Sequence, residues 1–88
     1  MITKDYTILA AQGLHARPAT ALIRLVKNFK SAVILQKGSK MVKLNSMLNI
    51  LSMAIKGGET VTIIIEGEDE QEAAIAIDLF FTEQAKEL

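Results

Sequence analysis

The only histidine in the chain, His15, stands in the run Gly13-Leu14-His15-Ala16-Arg17-Pro18-Ala19, with an arginine two residues further on and a proline after that. A neutral imidazole keeps a lone pair on one ring nitrogen and can attack phosphorus without a separate general base. The surroundings favour anions. If a helix begins at Ala16, its first N–H groups lack internal acceptors and its dipole adds partial positive charge, so the N–H groups of Ala16 and Arg17 could hold a phosphoryl group on His15. The Arg17 guanidinium would add a charged donor fork. Phosphoryl transfer needs mainly positioning and charge stabilisation, so one histidine at one helix end suffices when a partner supplies the rest, and no cofactor or metal is called for. Position alone leaves a second reading open, with His15 an ordinary loop residue and Pro18 a helix starter.

Other chemistries are excluded by composition. There are no cysteines among the 88 residues, which removes disulfides, thiolate zinc sites, Cys nucleophiles and thiol redox chemistry. The N-terminus lacks the basic-then-apolar layout of a secretory signal, and no apolar run approaches the ~20 residues of a membrane span, so a cytoplasmic protein with no membrane insertion is expected. Net charge is zero but lopsided: residues 1–58 hold nine of the ten Lys and Arg, and residues 59–88 hold nine of the ten acids. A basic half suits either nucleic acid or an acidic protein partner. A single-strand platform needs stacking aromatics, and the basic half offers only Tyr6 and Phe29, which argues against nucleic acid.

The elements that would position His15 can be read from periodicity. Tyr6 to Leu9 reads as a strand, ended by a Gln12-Gly13 turn. From Ala16 to Phe29 the apolar residues Ala19, Leu22, Ile23, Val26 and Phe29 recur at helical steps, with Pro18 tolerated in the first turn. Residues 32–36 and 41–44 flank Lys37-Gly38-Ser39-Lys40 as a β-hairpin. Asn45-Ser46 reads as the cap of a short helix over Met47 to Met53. Thr60 to Glu66 is a β-branched strand expected at the centre of a sheet. From Asp69 to Glu87 a C-terminal helix follows, with Ala73, Ile77, Phe80 and Gln84 along one line, Ala76 and Phe81 beside it, and Asp69 and Glu72 spaced as a capping box.

The order β-α-β-β-α-β-α predicts one α+β domain over residues 1–88, an antiparallel sheet covered on one face by helices. Many unrelated binding modules share such a pattern, so function has to come from the residues. At Ser46 the residue reading is a helix cap. Met47, Leu48 and Leu51, at helical spacing, read as core.

The run Gly13 to Ala19 resembles the active-site motif of the HPr family, the phosphocarriers of the bacterial sugar phosphotransferase system. Ser46 sits where that family has its regulatory serine, before a short apolar helix, and Gly67-Glu68-Asp69-Glu70 is similar to the family's approach to its last helix. Length and element order agree over essentially the whole chain.

The resemblance implies an open-faced β-sandwich with a four-stranded sheet and three helices. It implies that His15 takes a phosphoryl group on Nδ1 from phosphorylated enzyme I, whose donor is phosphoenolpyruvate, and passes it to an enzyme IIA domain, with Arg17 supporting the group. The chain would then be a carrier with a transient phosphohistidine rather than an enzyme, and a monomer, since it must show one site to successive partners. Ser46 becomes a regulatory phosphorylation site for an HPr kinase/phosphorylase. Met47, Leu48 and Leu51 become partner contacts, with Arg24 and Lys27 as a basic rim. Two departures stand out: Gln12 replaces a frequent small hydroxyl residue, and Asn45-Ser46-Met47-Leu48-Asn49 replaces a basic residue followed by Ser-Ile-Met-Gly. A regulatory or nitrogen-branch phosphocarrier, and a non-phosphorylated binding module of similar topology, are the alternative functions.

Overall fold

The computed structural model describes residues 1–9 and 12–84. Its elements are β1 (Ile2–Thr7), α1 (Ala16–Val26), β2 (Ala32–Lys37), β3 (Lys40–Lys43), α2 (Met47–Ser52), β4 (Thr60–Glu66) and α3 (Glu70–Leu79), the last running into a π-helical turn at Phe80–Gln84. The expected β-α-β-β-α-β-α order holds. The sheet order is β1-β4-β2-β3 with every pairing antiparallel, which places β4 in the interior as its sequence predicted. Val61, Ile63 and Ile65 of β4 are buried beneath the helices, whereas Thr62 and Ile64 between them lie on the face that the helices leave open. Full burial of such side chains contributes about 1.5–3 kcal/mol each, so a one-residue slip of β4 would forfeit all three.

Several boundaries differ from the sequence reading. β1 starts at Ile2, four residues earlier than the alternation suggested, and ends at Thr7, two residues earlier, because pairing from Ile2↔Ile65 to Thr7↔Thr60 defines it. Lys4 stands at an inward position between Ile2 and Tyr6 and interrupts the apolar pattern there; its ammonium escapes to Asp78, 3.7 Å away. Ile8 continues past the strand, exchanging backbone hydrogen bonds with Gly58 and Glu59. α1 ends at Val26 rather than Phe29, since the N–H groups of Asn28 and Phe29 fall back on the carbonyls of Leu25 and Val26 in a tighter turn. The hairpin is also tighter than expected: Lys37 pairs with Lys40, leaving a two-residue turn, Gly38-Ser39.

The capping box at Asp69 and Glu72 does not form. The Asp69 backbone is not in the extended N-cap conformation, and its carboxylate caps no helical N–H. Instead it accepts hydrogen bonds from the N–H groups of Lys30 (2.8 Å) and Ser31 (2.9 Å) and from the Ser31 hydroxyl (2.5 Å). These bonds, the hydroxyl's above all, hold the carboxyl below its ordinary value. Glu70 takes over the entrance to α3, accepting the Gly67 N–H at 3.1 Å and the Met1 ammonium at 2.9 Å. The predicted apolar line is present in Ala73, Ile77 and Phe80, all buried, with Ala76 half-buried; the Gln84 side chain lies outside the description, as do residues 85–87 of the predicted helix. The widened π-helical turn accompanies the burial of both Phe80 and Phe81. Phe81 stacks on Tyr6 at 4.5 Å, and the Tyr6 hydroxyl donates to Asp78 at 3.0 Å.

Candidate functional site

His15 occupies the N-cap position of α1 in an extended conformation, half-buried, with its ring making no cap to the helix. Its carbonyl accepts the Ala19 N–H at 3.0 Å and so starts the helix. Of the residues between them, Pro18 has no N–H, which leaves those of Ala16 and Arg17 as the first-turn donors without a helical acceptor. Both leave the helix mouth beside His15. Arg17 itself is exposed.

The backbone before His15 is pinned. The Leu14 N–H donates to the Ile55 carbonyl at 3.1 Å, and the Leu14 side chain is buried in the core. Gly13 has a φ of 73°, and a Cβ there would lie 2.1 Å from the same Ile55 oxygen, so only glycine fits. The support is the exit from α2, where Ala54 is held left-handed at φ 50°, at a cost to an alanine of about 1–2 kcal/mol.

α2 lies against the first turn of α1, where the Thr20 hydroxyl, bonded to the Ala16 carbonyl at 2.8 Å, also approaches the Met47 sulfur at 3.9 Å. The Ser46 hydroxyl caps α2 by accepting the Asn49 N–H at 3.4 Å. Met47, Leu48 and Leu51, the apolar stripe that sequence alone read as core, are not buried. Ile50 and Met53 are buried and Met47 is half-buried, while Leu48 is 77 % exposed and Leu51 39 % exposed. These two leucines stand on the outer face of the helix that flanks His15.

Not every sequence-predicted residue joins this cluster. Arg17 and Arg24, seven residues apart, share one line of α1, but Lys27 follows the last helical residue and borders a separate cleft. That cleft, 320 Å³ in volume and lined by Lys27, Phe29, Val33, Lys43 and Leu44 among others, lies at the far end of α1 from His15. Sequence reasoning missed Ile55, Lys37 and Glu59. Nothing in the local pattern marks them, because their roles depend on backbone groups distant in sequence. Among the described residues no group of three or more His, Cys, Asp or Glu could hold a metal ion, and no helix is long and apolar enough to cross a membrane.

A half-buried histidine thus stands at a helix mouth on an open-faced β-sandwich. The PTS-HPr family model, described as the PTS HPr component phosphorylation site, matches residues 2–83, and the chain belongs to that family of phosphotransferase-system phosphocarriers. It is 36 % identical to the phosphocarrier protein HPr of Lysinibacillus sphaericus over 83 residues, covering 94 % of each chain. Among solved structures, the histidine-containing phosphocarrier protein of a Mycoplasma superposes with a TM-score of 0.90 at 33 % identity, over 96 % of both chains. The catabolite-repression protein Crh of Bacillus subtilis, a swapped dimer, does so with a TM-score of 0.75 at 34 % identity, over 97 % of this chain and 98 % of that one. The resemblance read from the motif is thus correct at the level of family and fold.

Proposed function

We propose that His15 accepts a phosphoryl group from phosphorylated enzyme I and passes it to an enzyme IIA domain. The observation that carries this reading is the placement of His15 at the N-cap of α1, where Pro18 leaves the Ala16 and Arg17 N–H groups as the donors at the helix mouth. Nδ1 of the ring attacks phosphorus, the N–P bond to the Nδ1 forms as the donor's bond to phosphorus breaks, and the three phosphoryl oxygens meet the two N–H groups and the Arg17 guanidinium. The same steps run in reverse toward the next acceptor. The chain is a carrier: it needs no cofactor, because partners bring the donor and acceptor groups.

Leu48 and Leu51, with Met47 between them and His15, form the apolar part of the partner surface, and Arg17 and Arg24 form its basic part. Lys27, past the end of α1, borders the separate cleft and stands apart from this surface. Acidic protein surfaces, not nucleic acid, complement it. Ser46 is a regulatory phosphorylation site for an HPr kinase/phosphorylase, supported by its N-cap position, where the helix terminus tolerates an anion. The protein acts as a cytoplasmic monomer of one domain; sedimentation at micromolar concentration separates this from the dimer formed by Crh of B. subtilis.

Incubation with enzyme I and phosphoenolpyruvate gives acid-labile phosphate on wild type and none on His15→Ala. Absence of label on wild type, or label persisting on His15→Ala, overturns the assignment.

A further inference from the structure

Lys37, the last residue of β2, reaches across to the exit of α2. Its half-buried ammonium donates to the carbonyls of Met53 and Ala54, each at 3.2 Å, and to Glu59 Oε1 at 3.1 Å. Glu59 Oε1 also accepts the Lys56 N–H at 2.6 Å. That backbone bond and the Lys37 bond hold the Glu59 carboxyl below its ordinary value. One ammonium and one carboxylate thus close the segment 53–59 on itself, around the left-handed Ala54.

This same segment brackets the backbone that leads to His15. Glu59 and Gly58 exchange backbone bonds with Ile8 at 2.8 Å each, and Ile55 accepts the Leu14 N–H. The Lys37 ammonium thereby fixes the Ala54 carbonyl, next to the one that locates the residue before the histidine. The links are hydrogen bonds of 2.6–3.2 Å, and between Ala54 and Leu14 they run through backbone groups.

We propose that Lys37 is a positioning residue for phosphoryl transfer, acting through Met53, Ala54 and Glu59 to hold the Ile55 carbonyl under Leu14 and so to set His15 against the first turn of α1. This rests on the phosphocarrier reading of His15. The thermodynamic partner of Lys37 is Ala54: the ammonium is needed because an alanine occupies a left-handed position, and a glycine there would adopt the conformation unaided.

The test compares Lys37→Met, Lys37→Arg, the double variant Lys37→Met/Ala54→Gly, and Asp69→Ala, which loosens the fold at the opposite end of α1. In Lys37→Met, native-state exchange of the Leu14 amide speeds up about tenfold or more, and the rate of phosphoryl transfer at saturating phospho-enzyme I falls about tenfold with KM little changed. Lys37→Arg retains most of the rate. The double variant recovers both readouts, and Asp69→Ala moves neither. Leu14 exchange unchanged in Lys37→Met, or changed equally in Asp69→Ala, overturns the proposal. If wild type takes no phosphate from phospho-enzyme I, the phosphocarrier reading fails, and Leu14 exchange still decides whether Lys37 governs the His15 backbone.

Discussion

Leu14 donates its backbone N–H to the Ile55 carbonyl, 41 residues further along the chain, so the residue immediately before His15 is tied to the exit of α2. His15 is therefore held from two sides, by the start of α1 that follows it and by the end of α2 that supports the turn before it.

Gly13→Ala tests the second side. The new Cβ would meet the Ile55 oxygen and the backbone would be strained at positive φ, so we expect a loss of about 2–3 kcal/mol in unfolding free energy and a displaced His15 backbone. Urea denaturation together with the phosphotransfer rate checks it; wild-type values for both would show that Ile55 yields without consequence.

Arg17→Ala should slow phosphoryl transfer without abolishing it. A charged hydrogen bond is worth about 1.5–3 kcal/mol, which corresponds to a loss of roughly ten- to a hundredfold, while the Ala16 and Arg17 N–H groups remain in place. Rapid-quench transfer rates measure this, and equal rates in the two proteins would make the arginine a solvated bystander.

Leu48→Glu and Leu51→Glu should raise the dissociation constant for enzyme I by tenfold or more, as expected for truncated interface anchors at ~1.4 kcal/mol per decade, with little change in melting temperature. Ile50→Ala, by contrast, empties a fully buried site and should cost about 2–5 kcal/mol of stability. Calorimetric binding and thermal unfolding run side by side separate the two; collapse of the leucine variants on heating would return the stripe to the core.

Ser46→Asp keeps an acceptor at the N-cap of α2, while Ser46→Ala removes it at about 0.5–1 kcal/mol. Enzyme I binding should weaken in the aspartate variant alone, and more at low salt than at high, because an added anion repels an acidic partner through a screened field. Equal affinity of both variants at low ionic strength would leave Ser46 as a cap only.

Acid stability should depend on Asp69 and Glu70. Both carboxyls lie below their ordinary values of 3.8 and 4.5 in the fold, Asp69 through the Ser31 hydroxyl and Glu70 through the Met1 ammonium. A lowered folded-state value means that their contribution is complete above the unfolded values and disappears as pH falls below about 4, through the folded ones. Asp69→Ala should therefore destabilise the protein at pH 7 and flatten the acid limb of the melting temperature against pH. An unchanged slope between pH 5 and 2 would show that the Ser31 bonds carry no net stability.

The sequence alone determined what depends on near neighbours. Pro18 and the helical spacing of Ala19, Leu22, Ile23 and Val26 placed a helix mouth at His15, Ser46 marked the cap of α2, and the β-branched run of β4 marked an interior strand, because capping, backbone restriction and amphipathic period all act within a few residues. Spacing did not tell an inward apolar residue from an outward one on a helix as short as α2. The tertiary structure decided that Ile50 enters the core while Leu48 and Leu51 face solvent. It also sent Asp69 to Ser31 instead of to its own helix, moved β1 to the start of the chain, and joined Lys37 to Met53, Ala54 and Glu59. Each of these outcomes is a competition for hydrogen-bond partners or buried surface between segments distant in sequence, and only folding brings those competitors within reach of one another.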